Sequence, residues 1–418
     1  MKRLVVFTHK LFRRTAEGFQ TTGALTVQLD ALSPYFEQII LCAPLVAEPT
    51  FRGARLSADN FTFQPLPFSP TNPGFVRNLP VLRREILRAM QNADVGLAIL
   101  PGNVGLLASW LCQNRGFPLF QWVVGDWGQI IRSQAGRYAA QLRLPLRCIV
   151  PPLIDWTMAR LTRNTLTFFN GRILYPPRQP YHHSRISSSI SRRDFYRRDP
   201  PQPLHTPPRL LYVGRLSEEK GLPHLLEAIA RLIGAGEVVE LHIVGEGEME
   251  ATLREQARAL AIEAAVHFHG YVPHGEALSH YYRANDLFIL PSLQDQQPKV
   301  LLEAMSQSLP VIATQVGGIT TLITDGQNGL LIPPAQPSAL ANAVRRLLSD
   351  TPQRQQLAEA GLKFAENVTV ERETERLMKV VSAHFEAWKG KDFFLSPIVG
   401  KGSEVRLQDR YFTLQDGL

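Results

Sequence analysis

Cysteine is scarce in this chain of 418 residues: Cys42, Cys112 and Cys148 are the only three. They lie far apart and form no Cys-x-x-Cys pair. The sequence therefore offers neither a disulfide framework nor a thiolate metal site, and the three are expected as reduced core thiols. Long apolar runs are missing as well, so no stretch of about 18 residues reads as a membrane-crossing helix. Behind the basic start Met1-Lys2-Arg3, the apolar run Leu4 to Phe7 falls short of the roughly 7–15 residues of a secretory h-region, and a cytosolic location is expected. The phosphate-binding pattern GxxxxGK[ST] is absent. Gly245-Glu246-Gly247 has Glu250 where a dinucleotide fingerprint needs its third glycine. No short-period repeat occurs.

What is present is a chain that is 44% apolar and 20% charged, ordinary for a globular protein with ample core. Its length suits two to three domains at roughly 150 residues each. The net charge of +8 is concentrated. Eleven arginines and three aspartates lie between Gln141 and Pro200, an excess equal to that of the whole chain. Two readings stay open: a solvated basic surface, or a surface that meets anionic lipid headgroups or an anionic acceptor. Nucleic acid is not expected as a partner, because no nucleic-acid module accompanies the charge.

Apolar segments alternate with helical ones, which argues for parallel sheets with helices on their faces. In the first half, strands are expected at Arg3 to Thr8, Gln38 to Cys42, Val95 to Leu100 and Leu119 to Val124. A polar loop is expected at Thr15 to Thr22, and helices around Leu25 to Leu32, Leu79 to Asn92 and Val104 to Asn114. Tyr175 to Pro208 is dense in proline and serine and reads as a linker with one ordered piece near Ile186 to Phe195. The second half alternates more cleanly, from a strand at Arg209 to Val213 to a last helix at Val370 to Trp388. The organisation expected is 1–175, a first α/β domain; 176–208, the linker; 209–369, a second α/β domain; 370–389, a closing helix; and 390–418, a tail.

Two motifs carry chemistry. In GRLSEEKG, Gly214 ends a strand where backbone can approach a ligand closely. Arg215 offers a planar fork of donors and Lys220 a mobile point charge, both suited to phosphate oxygens. In PSLQDQQPKVLLEAM, Asp295 falls in a loop after a strand and Glu303 inside an amphipathic helix, eight positions on. Carboxylates at the carboxyl ends of strands in an open sheet suit a ligand with several hydroxyls. Together the motifs suggest a sugar joined to a diphosphate. The bland alternatives are solvated charges on a strand-turn-helix, and a glutamate that pairs locally within its helix. No metal-ligand set stands out.

The order GRLSEEKG, IVGEGE, FHGYVP, NDLFILPS, carboxylate-x7-Glu, LLEAM, LPVIAT, VGG and DGQNGLLI resembles the retaining glycosyltransferases of family four, the group 1 transferases. The likeness is strong from about Arg209 to Asp350 and loose in the first half. It implies a GT-B fold: two Rossmann-like domains facing across a cleft, with the last helix returning to the N-terminal domain. It implies a nucleotide diphosphate sugar as donor substrate, no metal and no further cofactor. It also implies transfer of a hexose with retention to a glycan, lipid-linked or small-molecule acceptor, as in polysaccharide biosynthesis. By the same resemblance Gly214, Arg215 and Lys220 meet the diphosphate, Glu303 the ribose and Asp295 the transferred sugar. Lys299 and Val300 lie where the family's backbone amides reach phosphate.

The chain departs from the family in four places. Ile319-Thr320-Thr321 stands where a glutamate often follows VGG, and the early loop has Thr22-Gly23 where a Gly-Gly pair is common. The usual first glutamate of the pair is Asp295, one methylene shorter, so its oxygens reach about 1 Å less far, a displacement that matters in catalysis. The His-Asp common at the N-terminal domain's cleft reads Gly125-Asp126, making Asp126 the acceptor-side candidate, with a local helix cap as its alternative. His9, after the first strand, is a second candidate for the missing histidine. These departures leave open a non-catalytic or partner-dependent GT-B module that binds nucleotide without transfer. The basic segment suggests, for an active enzyme, peripheral contact with the inner membrane face.

Overall fold

The computed structural model describes residues 3–23, 25–46, 53–67, 72–125, 145–171, 179–198 and 203–389. Asp126 and the 390–418 tail lie outside them, as do Arg143, Arg172 and Arg178 of the basic segment.

The N-terminal domain runs β1 (Arg3–Phe7), β2 (Phe12–Thr15), β3 (Gly18–Thr21), α1 (Leu25–Leu32), β4 (Gln38–Val46), β5 (Ala54–Arg55) and β6 (Phe61–Leu66). It continues α2 (Asn72–Gln91), β7 (Val95–Leu100), α3 (Asn103–Asn114), β8 (Leu119–Val123), α4 (Pro145–Thr162), β9 (Leu166–Asn170) and β10 (His182–Arg185). Seven strands form a parallel sheet in the order β6-β4-β1-β7-β8-β9-β10. The order reverses between β1 and β7, which opens a crevice at their carboxyl ends. Every residue of VGLAIL in β7 and LFQWV in β8 is buried, as strands covered on both faces must be.

The second domain runs β11 (Arg209–Val213), α5 (Leu222–Gly234), β12 (Glu240–Val244), α6 (Glu250–Ala259), β13 (Val266–Phe268), α7 (Glu276–Arg283) and β14 (Leu287–Leu290). It continues α8 (Lys299–Ser306), β15 (Val311–Thr314), β16 (Leu330–Ile332), α9 (Pro337–Ser349) and α10 (Thr351–Asn367). Its parallel sheet has the order β13-β12-β11-β14-β15-β16, again reversing at the first strand, between β11 and β14. A single apolar core spans this domain from Leu210 to Val368. The last described helix, α11 (Val370–Lys389), leaves it. Leu377, Met378, Val381 and Phe385 of α11 are buried in the first domain's core beside Leu29 of α1 and Leu4 and Val6 of β1. Two Rossmann-like domains and a returning helix are the architecture that the resemblance implied.

Two expectations need correction. The stretch Thr15 to Thr22 is not a plain loop. Thr15 stands opposite Gly18, and Arg14 opposite Phe19, in an antiparallel hairpin of β2 and β3, which joins the end of β4 through Phe12 opposite Leu45. The polar face of this ribbon hid its strand character. The stretch from 176 to 208 does more than link: its HHSR forms β10, pairing with β9 from His182 opposite Thr167 to Arg185 opposite Asn170. Two histidines, a serine and an arginine carry little strand propensity, and pairing to a buried neighbour decides the outcome.

Candidate functional site

The carboxyl ends of β11 and β14 bring the two sequence motifs together. Gly214 follows β11, its amide donating to the Val244 carbonyl at 3.0 Å. Arg215 is exposed, and its guanidinium has no ion-pair partner among the described residues. A short 3-10 turn, Glu218–Lys220, then aims Lys220 back over the sheet. From the loop after β14 comes Asp295. Lys220 Nζ lies 2.6 Å from Asp295 Oδ2, with both side chains mostly buried, and Ser292 Oγ donates to the same oxygen at 3.3 Å. The two loops are also tied through backbone, since the Leu293 amide donates to the Glu219 carbonyl at 2.8 Å.

Glycine makes this convergence possible. Gly221 sits at φ +67°, and a Cβ there would lie 2.2 Å from the Pro291 carbonyl oxygen. On the other side, the VGG turn packs directly under the Asp295 loop. A Cβ on Gly317 would lie 1.9 Å from the Asp295 carbonyl oxygen and one on Gly318 1.4 Å from that of Gln296. Gly318 donates its amide to the Asp295 carbonyl at 3.1 Å. Two glycines thus let one loop hold another by backbone contact alone.

Helix α8 begins at Lys299 with Pro298 as its cap. Its first amides, those of Lys299 and Val300 among them, are the positive end of the helix and an anion site by construction. The Lys299 ammonium is perturbed as well. Burial lowers its pKa to about 8, Arg185 and Lys10 add to the lowering, and Glu303 opposes it. Lys10 is lowered in turn, by burial and then by Arg215. Lys10 follows β1 in the other domain, so cations from both domains share one cleft. The sequence did not single out Lys10. Nothing local marks it; only the facing of two crevices brings it near Arg215.

Glu303 stands one helical turn beyond Lys299, with partners of its own. Its Oε1 accepts from Ser189 Oγ at 2.8 Å and its Oε2 from Tyr282 at 3.0 Å, while His274 Nε2 lies 3.7 Å away. An ionised carboxylate has about four lone-pair sites, so acceptor capacity remains for ligand hydroxyls. Glu303 and Asp295 are not in direct contact; Lys299 lies between them in sequence.

In the first domain, His9 follows β1 and stands at the crevice between β1 and β7. It packs against Gly102, where a Cβ would lie 2.1 Å from His9 Nδ1. Burial lowers the His9 pKa, and Lys10 adds to this. The basic segment divides. Arg185 is buried, with its guanidinium 4.0 Å over the Trp122 ring. Arg198 donates Nη2 to the carbonyls of Tyr282, Arg283 and Asn285 beside the end of α7. These two arginines are structural, which corrects the reading of the whole segment as a surface. Helix α4 does present a surface: Leu153 and Trp156 are 56% and 62% exposed, with the Arg160 guanidinium 6.0 Å from the Trp156 ring.

Residues 195–364 match the family described as "Glycosyl transferases group 1". Over 152 residues the chain is 34% identical to an alpha-D-kanosaminyltransferase of Streptomyces kanamyceticus, covering 36% of this chain and 39% of that protein. The chain thus aligns with about two fifths of that relative's length. Among solved structures it resembles sucrose-phosphate synthase from Thermosynechococcus elongatus, with a TM-score of 0.70 at 18% identity, covering 93% of this chain and all of that one. It also resembles Anabaena HepE in complex with UDP-glucose, with a TM-score of 0.63 at 17% identity, covering 94% of this chain and all of the other. These likenesses establish the GT-B fold across both domains.

Proposed function

We propose that this chain, whose residues 195–364 match the group 1 glycosyl transferases, transfers a hexose from a nucleotide diphosphate sugar, with retention and without a metal. The observation that carries the proposal is the convergence of Lys220 and Asp295, 2.6 Å apart, at the point where the second sheet reverses. In this reading Arg215 and Lys220 hold the diphosphate oxygens, helped by the amides that open α8. Asp295, positioned by Lys220 and Ser292, accepts from the sugar hydroxyls, and Glu303 accepts from the ribose.

The chemistry needs little from the protein beyond charge and position. As the bond between the anomeric carbon and the diphosphate oxygen breaks, negative charge grows on the diphosphate. Preorganised cations in a cleft of low dielectric stabilise that charge more than water would. The departing oxygen takes the proton of the acceptor hydroxyl, which attacks from the same face, and configuration is kept. On the acceptor side His9 orients that hydroxyl; Asp126, the other candidate, lies outside the described residues.

The acceptor we infer is a glycan or a lipid-linked sugar, and the surface that meets it is α4. A tryptophan and a leucine exposed beside Arg160 suit an interface with anionic headgroups. No helix among the described residues is long and apolar enough to cross a membrane.

A donor screen tests the proposal. Purified protein is incubated with UDP-, GDP- and ADP-sugars, and thermal stabilisation and slow nucleotide release are recorded. One donor that both stabilises and is slowly hydrolysed is the expected result. Stabilisation without turnover, with lipid acceptors present, would leave a nucleotide-binding module; no binding would overturn the site.

A further inference from the structure

Away from the cleft, the face of the second sheet carries a group of side chains that the transfer chemistry does not use. Glu240 and His242 alternate along β12, so both point to one face. In the parallel register His242 stands opposite His267 of β13. Two residues on, His269 follows the end of β13. The strands thus assemble one carboxylate and three imidazoles at the edge of the sheet. One donor atom each from Glu240, His242 and His267 lie within 4.8 Å of one another.

The hydrogen bonds within the group are incomplete in an informative way. His242 Nδ1 and His269 Nε2 are 2.9 Å apart, so the two rings share one proton. His242 Nε2 is buried without a hydrogen-bond partner, 3.5 Å from Glu240 Oε2. A buried ring nitrogen rarely stays unpartnered. If His242 donates from Nδ1 to His269, its Nε2 bears a lone pair aimed at the carboxylate, a repulsive arrangement until something positive lies between them. Metal-binding histidines use this pattern, with one nitrogen on the ion and the other fixed by an outer partner. Arg209 Nε lies 3.4 Å from Glu240 Oε2, an ion pair without a hydrogen bond that opposes the charge of an incoming ion.

We propose that Glu240, His242 and His267 bind one first-row divalent cation of the zinc class, and that this ion clips the edge strand β13 to β12. Two imidazoles and a carboxylate are the donor set that such ions prefer over calcium or magnesium. With metal–ligand distances of about 2.0–2.2 Å, tetrahedral donors lie about 3.4 Å apart. The side chains need move inward by about 1 Å, a small rotation of partly buried rings. Strand β13 is three residues long and, among the described residues, pairs only with β12. It is the element of this sheet that a cross-link would stabilise most.

The test uses the full chain, stripped with a chelator and then titrated with Zn2+ by calorimetry and with Co2+ by visible absorption. One ion per chain is expected, with a higher melting temperature in Zn2+ and ligand-field absorption from Co2+ bound to nitrogen and oxygen. His267→Asn and Glu240→Gln should each weaken binding at least about 10-fold, while far-UV circular dichroism and nucleotide binding stay as in the parent. Glu240→Gln, on a more open position, decides the matter if His267→Asn does not fold. Absence of stoichiometric binding, or unchanged affinity in both variants, overturns the proposal.

Discussion

Lys299 illustrates how one side chain can report the state of the whole cleft. Its ammonium is held at about 8 chiefly by burial, with Arg185 and Lys10 adding to the effect. Its folded-state pKa lies below the unfolded value, so the folded protein bears an unfavourable charge at pH 7. Stability from this group rises as pH climbs from about 8 toward 10.5, where only the unfolded chain still binds the proton. A diphosphate reverses the balance by favouring the ammonium. Donor binding should therefore take up a proton near pH 8 and weaken above it. Calorimetry of UDP binding between pH 7 and 9.5 checks this, and Lys299→Met should flatten the slope. Lys220→Ala removes a preorganised cation and should lower kcat by about 10^2–10^3, measured with the donor that the screen identifies. Lys220 and Asp295 were legible in the sequence because each closes a motif at a strand end. Lys10 was not, since its importance comes from the domain that faces it.

At the scale of elements, the second domain was legible nearly strand by strand: Arg209–Val213, Glu240–Val244 and Leu287–Leu290 are bounded as their apolar runs predict. The first domain was less so. Its β2 and β3 carry Arg13, Arg14 and Gln20, and its β10 is HHSR, so pairing rather than pattern makes them strands. The VGG turn shows an element acting through another. Gly318→Ala would drive a methyl group into the Gln296 carbonyl, and the Asp295 loop must shift. A displacement near 1 Å should cost about 10^2 in kcat with little change in far-UV circular dichroism. Where α11 meets β10, His384 faces His183. Burial and the neighbouring His384 and His182 push the His183 pKa down to about 4, and burial lowers that of His384. His183 stays neutral in the folded state down to about pH 4, while in the unfolded chain it protonates near 6.5. Stability should then fall as pH drops from about 6.5 toward 4. His183→Gln should shrink that loss in a pH series of melting temperatures.

For the whole molecule, the cleft is a place where like charges face each other. Lys10 on one domain confronts Arg215 and Lys299 on the other, and a diphosphate between them turns repulsion into bridging. Scattering in solution should show a smaller radius of gyration with UDP than without. Raising salt to about 1 M, where screening acts over about 3 Å, should narrow the difference. Screening also bears on the outer surface. If α4 meets anionic headgroups, the protein should sediment with anionic vesicles at low salt and be released as salt rises. Equal binding to neutral vesicles would count against that contact.

The returning helix has a consequence for biosynthesis. Leu377, Met378, Val381 and Phe385 complete the core of the first domain described here, but they are synthesised after all of the second. Until then α1 and the sheet beneath it lack the apolar side chains of α11 that cover them, each buried side chain contributing about 1.5–3 kcal/mol. The nascent N-terminal half must therefore wait, partly open, while its partner folds. Expressed alone, residues 1–185 should aggregate, whereas 186–369, which carries the whole of the second core from Ile190 to Val368, should fold unaided.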